Sequence, residues 1–137
     1  MTRSRRHLGK ADYQLLADFR YILRQFLSFS EEAASRASLA PQQHQALLAI
    51  KGAGGELSIG DLAQRLLVRP HSAVGLVDRL VEAKLVRRKS DQKDRRRILL
   101  TLTPTAERVL KTLTAAHRDE IGRVAPLLQS LLSELEE

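Results

Sequence analysis

The stretch Asp91 to Arg97 places six charged side chains in seven positions and closes on three consecutive arginines, Arg95, Arg96 and Arg97. Guanidinium groups are poor acids and bases. Their planar fork of donors keeps its charge at physiological pH, so arginines packed this densely bind anions. The surrounding charge agrees. Arg69 to Arg97 holds ten Lys/Arg against four Asp/Glu, while the other 108 residues hold thirteen against twelve, so nearly all of the net +7 lies in one segment. Localised positive charge of this kind is the electrostatic footprint of a nucleic-acid binder. A solvated charged face is the plainer alternative.

Other chemistry finds little support. The four histidines, His7, His44, His71 and His117, fall in separate segments without the HExxH spacing of a zinc protease. No Ser or Thr has an adjacent base that would make it a nucleophile. The run Gly52-Ala53-Gly54-Gly55 lacks the third glycine and the strand-to-helix setting of a dinucleotide site. The chain has no cysteine, which removes disulfides, thiolate metal sites and thiol redox sensing. No enzymatic activity, cofactor or metal is expected. His44 and His117 could meet across a dimer and hold a metal, but isolated histidines are usually structural, and that is the expectation here. No run reaches the eighteen or more apolar residues that cross a bilayer, and no apolar segment follows the basic MTRSRRHLGK, so a cytoplasmic protein without a signal sequence is expected.

The elements that would position the arginines follow from periodicity. At 137 residues one domain is expected. Residues 1–10 read as a disordered basic arm. Leu15, Phe19, Ile22 and Phe26 recur at helical spacing and predict a helix over 11–35, roughly 36 Å long at 1.5 Å per residue. Pro41 suits the first turn of a second helix that ends at Gly52. Ser58 with Asp61 three residues on reads as a capping box opening a third helix to Leu67. Pro70 opens a fourth, with Val74, Val77 and Val81 on one stripe. Two short helices joined this tightly form a helix-turn-helix. The period then changes to that of strands over Leu85–Lys89 and Ile98–Leu102, on either side of the charged loop. Thr103 caps a fifth helix with Pro104 at its first position, and the leucine stripe of PLLQSLLSELEE predicts a sixth. The fold class expected is mainly α (α+β), a winged helix-turn-helix over 39–103 between N- and C-terminal helices at 11–35 and 104–137. The arginines then sit on the wing.

The segments LAPQQHQALLAI and LSIGDLAQRLLVRPHSAVGLVDRLVEAKLVRRKSDQKDRRRILLTLT resemble the MarR family of bacterial transcriptional regulators over about Leu39 to Ala106. The sharpest parts are LVDRL at Leu76–Leu80, D-x-x-D-R-R at Asp91–Arg96, and Leu102-Thr103 closing the wing. Lys84 and Ala106 stand where the family has glycine. A left-handed residue other than glycine costs roughly 1 kcal/mol, so the local turns are in question there.

The resemblance implies a homodimer built on the first, fifth and sixth helices, with a winged helix on each subunit. The apolar surface of the outer helices agrees, since a large exposed apolar patch marks an interface. The start of the second helix of the motif would read base edges in the major groove of double-stranded DNA, which assigns Arg69, Pro70, His71, Ser72 and Gly75. His71 donates to a phosphate or has no role. Gly75 admits close approach. Arg79 reaches the DNA backbone or pairs with a wing carboxylate such as Asp94, the ion pair being the favoured choice. Arg95 and Arg96 enter the minor groove with Asp94 as the orienting partner, and Lys93 meets a phosphate. A dimer would take a palindromic operator with half-sites about one helical turn, roughly 34 Å, apart. Repression is the expected output. In this family small anionic, often phenolic, effectors bind near the dimer base, and the aromatics Tyr13, Phe19, Tyr21, Phe26 and Phe29 of the first helix could line such a pocket or simply pack. A winged helix used for protein–protein contact, or an architectural DNA binder without an effector, are the alternatives.

Overall fold

The computed structural model describes residues 7–136, and most of the expected basic arm lies outside that range. Residues 7–9 have no regular structure, and Lys10 is already helical. Five α-helices and three strands follow: α1 (Lys10–Arg36), α2 (Pro41–Gly52), β1 (Glu56–Ser58), α3 (Ile59–Leu66), α4 (Pro70–Glu82), β2 (Val86–Ser90), β3 (Ile98–Leu102) and α5 (Pro104–Ser133). A single 3-10 turn, Glu134–Glu136, ends the described chain.

The chain forms two compact units. One comprises residues 31–115 and the other residues 7–30 with 116–136, so α1 and α5 each contribute to both. In the 31–115 unit the three strands form an antiparallel sheet of order β1-β3-β2. Val86 pairs with Leu102 and Ser90 with Ile98 in the hairpin, while Glu56 pairs with Thr101 on the other edge of β3. The expected hairpin is therefore the larger part of a three-stranded sheet. β1 went unread because three residues are too few to display alternation.

The core of this unit is one cluster fed by every element. Leu47 and Ile50 from α2, Leu62 from α3, Leu76, Val77 and Leu80 from α4, Val86 and Leu100 from the sheet, and Ala106 and Leu110 from α5 meet in it. Ala106 is fully buried in the first turn of α5. A helical backbone there needs no glycine, which resolves the question raised by the family pattern. Lys84 does adopt the left-handed conformation, at φ 61°, as do Ser38 (61°) and Leu67 (56°). Each pays roughly 1 kcal/mol relative to glycine. Thr103 offsets part of this around Lys84: its hydroxyl donates to the Lys84 carbonyl (2.8 Å) and accepts the Ala106 N–H (3.2 Å). Thr103 thus fastens the turn after α4 to the start of α5.

The second unit has a smaller core of Ile22, Val124 and Leu131, flanked by Leu15, Phe19 and Leu128. Two C-terminal helices were expected, and one is found: α5 runs unbroken through Pro126. Proline removes the N–H that would bond the carbonyl of Gly122, four residues back, and it usually kinks or ends a helix. Here Val124 precedes Pro126 and Leu128 and Leu131 follow it, and all three pack in the same cluster. Tertiary packing on both sides of the proline overrides the local break.

Candidate nucleic-acid interface

α4 offers an uncapped, exposed start. Arg69 occupies the N-cap at φ −71°, ψ 150°, no side chain bonds to this end, and Pro70 stands in the first turn. The first N–H groups of a helix lack intrahelical partners and carry partial positive charge. Pro70 contributes none, so His71 and Ser72 present theirs outward. Arg69, Pro70, His71 and Ser72 are all exposed, while Ala73, Leu76, Val77 and Leu80 hold the opposite face in the core. One turn further on, a Cβ added at Gly75 would stand 3.8 Å from Nη1 of Arg79, with no other atom outside the helix's own backbone within 4 Å. The Arg79 side chain therefore folds back along α4 over the bare glycine.

The wing tip is shaped by its own aspartates. Asp91 accepts the Lys93 N–H (2.9 Å) and Asp94 accepts the Arg96 N–H (3.1 Å), two short-range turns that fix the loop. The Asp91 N–H to Arg97 carbonyl bond (2.9 Å) closes the hairpin, and the Arg97 N–H donates to the Asp94 carbonyl (2.9 Å). The favoured Arg79–Asp94 ion pair is absent among the described residues. Asp94 is engaged locally by the main chain of Arg96, and it orders the loop through the backbone instead of through a guanidinium. Lys93, Arg95 and Arg96 are exposed at the tip.

Cation pairing divides the basic segment in two. Arg88 pairs with Asp78 of α4, and Lys89 pairs with Glu56 of β1. Arg97 pairs with Asp61 of α3 at 2.7 Å and also donates to Ser58 Oγ at 3.2 Å. The expected capping box is accordingly one-sided: Ser58 Oγ accepts the Asp61 N–H (3.1 Å), but the Asp61 carboxylate turns to Arg97. Aspartate is one methylene shorter than the Glu or Gln of the usual reciprocal cap. Arg69, Arg79, Lys84, Arg87, Lys93, Arg95 and Arg96 have no ion pair among the described residues. Sequence reasoning missed all three pairs. Asp78 inside LVDRL and Asp61 inside the capping motif were the available signals, each already given another reading.

Phe19 lines an apolar groove of about 240 Å³ with Leu15, Leu16, Leu131, Leu132 and Leu135, and Tyr13, Tyr21 and Phe26 are not among its walls. Tyr13 and Tyr21 are exposed. Phe26 and Phe29 meet the His117 ring edge-on at 6.0 and 5.3 Å between centroids, and His117 Nε2 lies 2.8 Å from Ser30 Oγ. His117 and His44 are both buried, and among the described residues no cluster of three or more His, Asp or Glu could hold a metal ion. Nor, among them, is any helix long and apolar enough to cross a membrane.

Comparison with known proteins follows the same lines. Residues 37–97 match the sequence profile of the MarR family. No curated protein sequence matches the chain. Among solved structures it is similar to AbsC, a MarR family transcriptional regulator from Streptomyces coelicolor, with 20% identity, TM-score 0.76, and 96% of this chain and 90% of that one covered. The transcriptional regulator BldR from Sulfolobus solfataricus is similar at 26% identity and TM-score 0.67, over 94% and 99% of the two chains. A mutant of S. aureus MepR bound to an oligodeoxyribonucleotide is similar at 21% identity and TM-score 0.66, over 90% and 97%. The matched segment contains the helix-turn-helix and the charged wing, and the fold extends over nearly the whole chain. The segment that carries the helix-turn-helix and the wing thus matches the MarR family, and over nearly its whole length the chain has the winged-helix fold of MarR family transcriptional regulators.

Proposed function

We propose that the protein is a repressor that binds an inverted-repeat operator as a homodimer in the cytoplasm. The start of α4 (Arg69, Pro70, His71, Ser72, Gly75) would lie in the major groove, Arg95 and Arg96 in the flanking minor groove, and Arg79 and Lys93 on phosphates, with Asp94 shaping the wing. The observation that carries this reading is the exposed, unpaired set Lys93, Arg95 and Arg96 at the tip of a wing whose Arg88, Lys89 and Arg97 are internally paired. A solvated hairpin tip would need no such division of labour.

Dimerisation is supported by apolar side chains that the second unit leaves half-exposed: Leu16, Leu23 and Leu27 on α1, and Ile121, Leu127 and Leu132 on α5. A stripe of this extent on two long helices calls for a partner surface. Sedimentation at micromolar concentration is expected to give twice the 15.4 kDa chain mass, and a monomer would remove the symmetric operator from the account. Release by a small anionic, phenolic ligand completes the proposal. Such a ligand acts only through different affinity for the two conformations. Salicylate at millimolar concentration is expected to weaken operator binding, and no change would remove the effector.

Gly75→Ala separates folding from recognition. An added methyl meets only Arg79, at an ordinary contact distance, and alanine is favoured over glycine inside a helix by about 1 kcal/mol. Thermal unfolding is expected to show a more stable protein, and operator titration a weaker binder. Unchanged affinity would mean that α4 does not approach DNA closely at this position.

A further inference from the structure

We infer that Arg97 is a positioning residue that locks the wing onto the first turn of α3, and that it touches no DNA although it belongs to the arginine triplet. This inference rests on the reading of the wing as a minor-groove probe.

Arg97 acts with both its main chain and its side chain. Its carbonyl accepts the Asp91 N–H and its N–H donates to the Asp94 carbonyl, both at 2.9 Å, so it closes the seven-residue tip loop. Its guanidinium then leaves the wing. One nitrogen, Nη2, reaches Asp61 Oδ2 (2.7 Å) and Ser58 Oγ (3.2 Å). Ser58 is buried and is at once the last residue of β1 and the N-cap of α3. The tip loop is therefore fastened to a residue fixed by the sheet and a helix together. Arg88–Asp78 and Lys89–Glu56 hold the strand β2. Among the described residues Arg97 is the tip-loop residue whose side chain is held by another element.

The electrostatics explain why the tie needs Asp61. The N-terminal turn of a helix carries partial positive charge, which repels a cation brought to it. The Asp61 carboxylate reverses the local sign and gives the guanidinium an ionic acceptor, and charge-assisted bonds are the stronger class. Without that carboxylate Arg97 would face Ser58 Oγ and the helix end alone. Its side chain would swing free, and the loop carrying Arg95 and Arg96 would lose its anchor. A loop that is ordered before binding spares the entropy of ordering it on DNA.

The test is a double-mutant cycle on a selected operator, using Arg97→Gln, Asp61→Asn and the double variant, with affinity measured across salt concentrations. Both single variants are expected to weaken binding about tenfold, the scale of ordering one or two side chains. The double variant is expected to be no weaker than either single one. The slope of log K against log salt stays unchanged in all three, because no phosphate contact is lost. Asp61→Asn decides most sharply: removing a negative charge from a DNA-binding protein should tighten binding on charge grounds alone, so weaker binding reports the anchor. Tighter binding by Asp61→Asn, or a slope reduced by about one in Arg97→Gln, would make Arg97 a phosphate contact and overturn the inference. Arg95→Ala, run alongside, tests the wing reading itself. If Arg95→Ala binds like the wild type, the minor-groove reading fails. The anchor is then judged by amide hydrogen exchange at Arg96 and Arg97, which Asp61→Asn accelerates if the tie holds the loop and leaves unchanged if it does not.

Discussion

Raising the salt from 50 to 200 mM is expected to lower the affinity of the protein for its operator by about 10³- to 10⁵-fold. Duplex DNA holds condensed counterions that each cationic contact releases, so log K falls with log salt at about −0.9 per phosphate neutralised. Ten Lys/Arg lie between Arg69 and Arg97, but Arg88, Lys89 and Arg97 are spent on internal carboxylates. The seven that remain per subunit bound this segment's phosphate contacts at about fourteen in the proposed dimer. Some of them read bases or face away, so about six to ten is the range expected for ordinary operator binding. A slope steeper than about −12 would mean that the internal pairs open on DNA or that cations outside this segment also reach it. A flat response would mean that binding is not electrostatic, and the concentration of charge in this segment would lose its explanation. Titrations at four salt concentrations distinguish these outcomes.

Leu80→Ala is expected to cost about 2–5 kcal/mol of stability, a large share of the roughly 5–15 kcal/mol that holds a domain of this size. Leu80 is fully buried, and it lies in α4 on the face opposite the exposed start of the helix. It joins the cluster that brings α2, α3, the sheet and α5 against α4, so its loss opens a cavity where all of these elements meet. Urea unfolding at fixed protein concentration should show a lower midpoint with an unchanged slope. Leu67→Ala is the control. Leu67 is 92% exposed in the turn before α4, and its removal is expected to shift stability by less than about 0.5 kcal/mol. Equal losses in the two variants would contradict the assignment of the core.

The readable parts of this fold are those written in local spacing. The bounds of α2 and α4 follow from Pro41 and Pro70 at helix starts and from apolar stripes behind them. The hairpin shows in the change of period after Leu85. The left-handed turn at Lys84 was raised by the glycine that the resembled family carries there, and Lys84 does adopt it. What escaped depends on residues far apart in the chain. β1 is a strand only because β3, more than forty residues later, pairs with it. α5 continues through Pro126 because α1 supplies packing on both sides of the break. Arg97 and Asp61 are thirty-six residues apart, and nothing in either neighbourhood tells which of ten cations finds which carboxylate. The same limit explains Arg79 and Asp94: each was a sensible partner by type, but Asp94 is occupied within its own turn and Arg79 lies along its own helix over Gly75. Charge and periodicity identify the face, and three-dimensional pairing decides which of its arginines remain available to a ligand.

Dimethyl sulfate footprinting on an operator selected from random DNA tests the central claim most directly, because the reagent methylates guanine N7 in the major groove and adenine N3 in the minor groove of the same duplex. The wild-type protein is expected to protect guanine N7 within each half-site and adenine N3 on its flank, and Arg95→Ala should lose the flanking protection alone. Major-groove protection without any adenine N3 protection, or a footprint unaltered by Arg95→Ala, would contradict a two-groove grip by α4 and the wing.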